Sequence, residues 1–276
     1  MRSKLFVPGS RPELFAKAMA SDADALSIDL QDAVAESRKA EARAAAGQFL
    51  AALPQARAKV IIVRVNALGS PHFAADVAAI RSGRPDMVNI PQVECADDIR
   101  RAAVLLGGLP ILANIESPKG LRRASEIAAA DSSVVGLQMG YGDLLEPLGI
   151  ERRNALVVGQ CQLAMRFAAA EAGIFAYDGA WADVDDLDGL RREAEAARQM
   201  GYLGKSAIHP RQVPVINAVF RPSDAEIAYS QKVVESARAA QATGTGAWLL
   251  EGRMIDAPFV VRAENTLALA KRLGLL

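Results

Sequence analysis

Ile111-Leu112-Ala113-Asn114-Ile115-Glu116 alternates in character: Ile111, Ala113 and Ile115 share one face of an extended chain, while Asn114 and Glu116 share the other. A period of two marks a strand, and the charged residue stands at its C-terminal end. The run 25–30 has the same design, with Leu26, Ile28 and Leu30 on one face and Ser27 and Asp29 on the other. In 60–66, Val63 and Val65 oppose Arg64 and Asn66.

Further strand candidates lie at 4–8, 87–92, 134–140, 174–178 and 205–209. Between them run Ala- and Arg-rich stretches of helical spacing, at 37–52, 95–106, 121–129, 152–172 and 186–200. Repeated β–α alternation predicts a parallel sheet covered by helices. Eight such units fit a closed (β/α)8 TIM barrel of the α/β class better than an open sheet. The first strand lacks the glycine fingerprint of a dinucleotide-binding turn, which argues against the open alternative. The barrel is expected over 1–222. The remainder, 223–276, predicts a helix from about 225 to 240, a hairpin or extended arm around Glu251-Gly252 and a last helix near 260–273. This C-terminal helical extension exceeds what an eighth barrel helix needs, so it is a candidate lid or subunit contact.

The chain has 276 residues, with 32 basic side chains balancing 32 acidic ones. No net field draws it to nucleic acid or to an anionic membrane, so neither is expected as a partner. No run approaches the roughly 18 apolar residues of a membrane span, and the N-terminus is too weakly apolar for a signal peptide. Cys95 and Cys161 are far apart in helical segments, and neither forms a zinc pattern with His72 or His209. The expected compartment is reducing cytosol.

Barrel enzymes build their sites at the C-terminal ends of the strands. Asp29, Asp32, Arg64, Gln92, Glu116, Asp143 and His209 all fall at or just past such ends. Glu116 and Asp143 follow consecutive strands and are therefore neighbours on the rim. Two carboxylates with substrate oxygens and water suit Mg²⁺, a hard cation that keeps several waters. The plain alternative pairs Glu116 with Lys119 or Arg122 and leaves Asp143 in a turn. Arg64 could grip a carboxylate with its fork or form a structural ion pair.

Seven segments, in order along the chain, carry a family resemblance. They are Arg2-Ser3-Lys4-Leu5-Phe6-Val7-Pro8-Gly9, Asp29-Leu30-Gln31-Asp32-Ala33-Val34, Val63-Arg64-Val65-Asn66 and Ile115-Glu116-Ser117, then Gly140-Tyr141-Gly142-Asp143-Leu144, Gly204-Lys205-Ser206-Ala207-Ile208-His209-Pro210 and Met254-Ile255-Asp256-Ala257-Pro258. Together they resemble the HpcH/HpaI aldolase and citrate lyase β-subunit superfamily, in the branch of the malyl-CoA and citramalyl-CoA lyases. The resemblance implies Mg²⁺ on Glu116 and Asp143, Arg64 on the substrate, and Asp29, Gln31 and Asp32 supporting that centre from behind. It implies a thioester pocket lined by Ile208 and His209, with Phe6 and Lys17 at the coenzyme A nucleotide. It also implies a homotrimer or larger assembly in which a C-terminal arm brings Asp256 to a neighbour's site as general acid or base.

The implied reaction is retro-Claisen cleavage of a 3-hydroxyacyl thioester carried on CoA or an acyl carrier protein. Three residues depart from the family pattern: Gln31 where most relatives have Glu, Gln92 where many have Lys, and Glu13 where some have a cation. Rival expectations on the same scaffold are a malyl-CoA thioesterase, an aldolase of free hydroxy-keto acids and the lyase subunit of a citrate lyase complex. A non-catalytic acyl-CoA-binding subunit is the alternative of another class.

Overall fold

The computed structural model describes residues 1–54 and 56–276. Eight parallel strands form one sheet: β1 (Ser3–Pro8), β2 (Ala25–Asp29), β3 (Val60–Arg64), β4 (Met87–Ile90), β5 (Ile111–Ile115), β6 (Val134–Met139), β7 (Phe175–Tyr177) and β8 (Lys205–Ala207). Sequential neighbours pair from β1 to β7, and β8 pairs with β1. The two free edges meet through a parallel bridge between Asp178 and Lys205. Asp178 N–H donates to Gly204 O at 2.9 Å, and Ser206 N–H donates to Asp178 O at 3.0 Å. The sheet is thereby drawn round into the expected barrel. Gly204 is required at this seam, because a Cβ there would lie 2.2 Å from the Arg2 carbonyl oxygen.

Alternation along the strands sorts the side chains into two compartments. Leu26, Ile28, Ile61, Val63, Ile111, Ala113 and Ile115 join the main core between barrel and helices. The helix Lys39–Ala52 presents Ala42, Ala46 and Leu50 to it, at the four-residue spacing of one helical face. Ala25, Ile62 and Leu112, on the opposite faces of their strands, make a separate apolar cluster with Met87 and Phe175 inside the barrel. One step further along the strands the interior turns polar, with Lys4, Ser27, Asn89, Asn114 and Gln138 all buried.

The strands are shorter at their C-terminal ends than period two suggested. Leu30, Asn66, Gln92, Glu116 and His209 lie one or two residues past the paired segments. Alternation continues beyond the point where ladder hydrogen bonding stops, so hydrophobic pattern alone overruns the strand. Cys161 lies within the helix Ala155–Glu171, whereas Cys95 stands at the N-cap of Ala96–Leu106.

The contacts divide the chain into Met1–Phe220 and Arg221–Leu276. In the second unit, Ser223 and Glu226 form a capping box at the start of the helix Asp224–Ala242, the arrangement that satisfies two orphan N–H groups at once. The hairpin is present, as β9 (Trp248–Leu250) paired antiparallel to β10 (Arg253–Ile255). Its turn residues Glu251 and Gly252 have φ of 49° and 77°, the left-handed pair a two-residue hairpin favours. The helix Ala257–Arg272 completes the unit around Val233, Ile255 and Ala263. Among the described residues no helix is long and apolar enough to cross a membrane.

Candidate active site

Asp29 and Arg64 are register partners on β2 and β3. Arg64 Nε donates to Asp29 Oδ1 at 2.8 Å and Nη2 to Oδ2 at 2.6 Å, a complete fork. The backbone N–H groups of Gln31 and Ala33 also donate to this carboxylate, at 2.9 and 3.0 Å. Burial opposes ionisation of Asp29, but the Arg64 hydrogen bonds and charge outweigh it and hold the acid below its ordinary range. Burial likewise opposes the charge on Arg64, yet Asp29 and Asp32 raise its pKa further. Only Nη1 of Arg64 lies outside the fork, 3.2 Å from the exposed carboxylate of Asp32. The fork that the sequence offered to a substrate is thus engaged by Asp29, and the third nitrogen is the one with a displaceable partner.

Glu116 is buried, with 4% of its surface exposed. Its Oε1 accepts from the backbone N–H of Gln92 at 2.6 Å, and its Oε2 accepts from Asn114 Nδ2 at 3.0 Å. Asn114 is steadied by Asn89, whose Nδ2 donates to Asn114 Oδ1 at 2.8 Å. The chain passes close behind the carboxylate at Gly140, where a Cβ would lie 2.4 Å from Glu116 Oε2. Three residues later, Asp143 stands exposed in the first turn of the helix Tyr141–Leu145. Burial, opposed by the Gln92 N–H and then reinforced by the charge of Asp143, pushes the Glu116 pKa up to about 7. Asp32, although exposed, is raised as well, by partial desolvation against the rim first and then, against Arg64, by Asp29 and Asp143.

Asp143 is therefore felt by carboxylates on two sides, and the rim carries negative charge that side chains only partly offset. Among the described residues no set of three or more His, Cys, Asp or Glu converges as metal ligands. The side chains at this rim that could serve an ion are carboxylates, the chemistry Mg²⁺ selects, and a cation there would offset the Asp143 charge that adds to burial in raising Glu116. The residues fit the ion. The pairing of Glu116 with Lys119 is not found: Lys119 Nζ reaches Glu94 instead, at 2.8 Å.

Beside this centre lies a cavity of about 560 Å³ lined by Phe6, Lys17, Ile208 and His209, together with Leu14 and Pro210. The Phe6 ring joins the two regions, because the Arg64 guanidinium lies 5.0 Å from its centroid. Lys4 Nζ, beneath it at 4.2 Å, also hydrogen-bonds Gln138. Burial and the nearby Arg64 keep the Lys4 ammonium well below its ordinary pKa. His209 Nδ1 accepts from the backbone N–H of Arg211 at 3.2 Å. In the neutral ring this leaves the proton on Nε2.

Asp256 belongs to the C-terminal unit, at the N-cap of Ala257–Arg272. Its carbonyl accepts from Phe259 and Val260, but its side chain makes no cap hydrogen bond. Its Oδ1 has no partner among the described residues. A capping Asp normally uses that oxygen on the N2 or N3 amide.

Several contributions were not foreseen from sequence. Gln92, expected at the rim for its side chain, acts through its backbone; Gly140 acts through the absence of a side chain, and Asn89, not singled out at all, through a partner on the next strand. Gln31 is buried and its Oε1 has no hydrogen-bond partner, so the neutral amide leaves one polar atom unsatisfied close to Asp29.

Barrel, rim carboxylates and adjoining cavity together define a class of α/β-barrel enzyme, and comparison with known proteins gives its family. Residues 2–210 match the model of the HpcH/HpaI aldolase/citrate lyase family. The chain belongs to that family and is an enzyme of its lyase class. It is 36% identical over 274 residues to the (3S)-malyl-CoA thioesterase of Cereibacter sphaeroides, covering 99% of this chain and 95% of that one. It is equally 36% identical, over 288 residues, to the citrate lyase subunit beta of Escherichia coli, covering 99% and 94%. The crystal structure of CitE from Mycobacterium tuberculosis, in complex with magnesium, acetoacetate and coenzyme A, superposes with a TM-score of 0.81 at 34% identity, covering 98% of each chain.

Proposed function

We propose that this chain is a Mg²⁺-dependent carbon–carbon lyase that cleaves a 3-hydroxyacyl thioester of the malyl, citramalyl or citryl type. The observation that carries the reading is the Phe6 ring, shared between the cavity and the Arg64 guanidinium. A thioester held along Phe6, Lys17, Ile208 and His209 would bring its acyl end to Arg64 and the rim carboxylates.

Glu116 and Asp143 would hold the ion, which supplies Lewis-acid polarisation of substrate oxygens. The protein's own groups then do the rest. Arg64 is fixed by Asp29 and offers Nη1 to a substrate carboxylate or carbonyl oxygen, a preorganised charge that needs no rearrangement as negative charge develops. Asn114 and the Gln92 N–H hold Glu116 in one orientation. The 3-hydroxyl gives its proton to a base as the C2–C3 bond breaks. Its oxygen becomes the carbonyl of a keto acid, and the bonding pair becomes the thioester enolate. That enolate takes a proton to give the shortened acyl thioester. Asp256 is the proposed base, carried on the C-terminal arm of a neighbouring subunit in a trimer or larger assembly. Its unpartnered carboxylate oxygen supports that assignment over a capping role.

The thioesterase reading is favoured by one relative, the C. sphaeroides enzyme of that name; a citrate lyase subunit, whose thioester sits on a carrier protein, is favoured by another. Product analysis separates them. Purified protein is incubated with Mg²⁺ and malyl-, citramalyl- and citryl-thioesters, with and without EDTA. A keto acid appearing together with a shortened acyl thioester supports the lyase. Free CoA with an intact hydroxy acid would overturn it in favour of hydrolysis.

A further inference from the structure

Glu116 and Asp143 are held in different ways. Glu116 accepts hydrogen bonds on both oxygens, whereas Asp143 makes no hydrogen bond or ion pair among the described residues and stands exposed. The position of its carboxylate therefore follows from the helix that carries it, Tyr141–Leu145. Five residues are too few for a helix to hold itself, and its N-cap, Gly140, offers no side-chain hydrogen bond. Leu144 and Leu145 bury apolar surface in the main core, an attraction without direction. The directional tie is Tyr141.

Tyr141 is buried and clamped on three sides. Its hydroxyl donates to Asp178 Oδ1 at 2.8 Å. The Arg152 guanidinium lies 3.2 Å from its ring centroid, and Arg152 Nη2 is itself fixed on Glu193 at 2.6 Å. Gly179 backs the ring, since a Cβ there would lie 2.6 Å from Tyr141 Cδ2. Asp178 is a firm anchor: it is fully buried, its Oδ2 accepts from Lys205 Nζ at 2.6 Å, and its backbone closes the β7–β8 seam. The Tyr141 hydroxyl is the closer of two donors to Oδ1, with Gln162 Nε2 standing at 3.4 Å. Successive helical residues are about 100° apart, so Tyr141 and Asp143 project on nearly opposite sides of the turn. One grips the seam, and the other carries its charge to the rim, where Glu116 feels it.

We propose that Tyr141 is a positioning residue for Asp143: its hydroxyl, docked on Asp178, fixes the helical turn that aims the Asp143 carboxylate at the ion. The proposal rests on the reading of Asp143 as a Mg²⁺ ligand. Tyr141 acts through the backbone of residues 141–143 and not by contact with ion or substrate.

Mn²⁺ takes the same oxygen ligands as Mg²⁺, and the free ion is counted by electron paramagnetic resonance, so affinity is read without turnover. The full-length protein, stripped with EDTA and desalted, is titrated as wild type, Tyr141→Phe, Tyr177→Phe and Asp143→Asn. Tyr141→Phe keeps the ring against Arg152 and Gly179 and loses only the hydroxyl. Its dissociation constant for Mn²⁺ should rise about fivefold, the worth of one hydrogen bond. Tyr177→Phe removes another buried hydroxyl at the same seam, one that donates to Arg2 O and Lys205 O at 3.2 Å. It controls for stability: it should lower the melting temperature comparably and bind Mn²⁺ like wild type. Asp143→Asn should bind at least about tenfold more weakly than wild type. Undiminished binding by Tyr141→Phe, or an equal loss in Tyr177→Phe, beside a weakened Asp143→Asn would overturn the proposal alone. Undiminished binding by Asp143→Asn, or no binding by wild type, would overturn the metal reading and the proposal with it.

Discussion

Gln92 holds Glu116 through its backbone: the amide N–H donates to Oε1 over 2.6 Å from a left-handed conformation with φ of 56°. A non-glycine residue rarely adopts that conformation, and its persistence at the rim marks a site where geometry outweighs local strain. Gln92→Gly relieves the strain and keeps the N–H, so stability should change by no more than about 1 kcal/mol with turnover retained. Gln92→Pro removes the donor and forbids the φ, and should cost well over tenfold in Mg²⁺-dependent turnover. Thermal melts and Mg²⁺ titrations of the two variants check this.

The contact behind the carboxylate gives a second expectation. Gly140→Ala would place a methyl 2.4 Å from Glu116 Oε2 and 2.5 Å from its Cβ. Forcing that fit costs about 1–3 kcal/mol, and much of the relaxation must come from Glu116. Turnover should fall more steeply than stability. Full turnover with an unchanged melting temperature would mean that Glu116 is not held where the structure has it.

Arg64 and Asp29 form a buried pair, so removing one strands the other. Arg64→Ala should destabilise by about 3–5 kcal/mol. Arg64→Lys keeps the charge but loses the fork, and should fold while losing at least about tenfold in activity. The Asp29 pKa is depressed on folding; its contribution is therefore present above the unfolded value and is lost as pH falls through the folded one. Acid unfolding of Asp29→Asn should accordingly be less steep below about pH 4.

Glu116 has the opposite sign. Its folded pKa is raised from 4.5 to about 7 by burial first and then by Asp143. A raised pKa contributes stability that is complete below the unfolded value and disappears as pH rises through the folded one. The metal-free protein should lose on the order of 3 kcal/mol between about pH 4.5 and 7 from this group. Mg²⁺ should restore more stability at pH 8 than at pH 5. Asp143→Asn should move the midpoint of that loss downwards, since it removes one source of the shift. Melting curves against pH, with EDTA and with excess Mg²⁺, read both.

Lys17 tests the cavity independently of the chemistry. It lines the 560 Å³ space and, among the described residues, makes no hydrogen bond or ion pair with the rim carboxylates. Lys17→Ala should raise KM for a CoA thioester roughly tenfold with kcat little changed, the signature of lost uniform binding. An equal fall in kcat would place Lys17 closer to the reacting atoms than the geometry allows.

Much of this was legible in the sequence, for identifiable reasons. Strands β2, β3 and β5 announce themselves because one face is aliphatic and the other ends in a charge, and that same alternation points Asp29, Arg64 and Glu116 into the barrel. The adjacency of Glu116 and Asp143 follows from the order of consecutive strands. What escaped depends on tertiary contact. Lys4 reads as an ordinary strand cation, yet it is fully buried beneath Phe6. The buried ion pairs of Lys205 with Asp178 and Glu193 join β8 to the β7 loop and a helix, and no short spacing encodes them. The Gln92 backbone and the Gly140 contact leave no signal in residue type beyond a glycine among several. The Arg64 fork was legible as a fork but not as one already engaged by Asp29.

The most direct test of the central claim is keto-acid release from the turned-over thioester by wild type, Glu116→Gln and Asp143→Asn, each with saturating Mg²⁺ and with EDTA. The account predicts release by wild type with Mg²⁺ alone, and at least a hundredfold less (about 3 kcal/mol) from either variant. Undiminished release by the variants, or by wild type in EDTA, would contradict a lyase built on these two carboxylates.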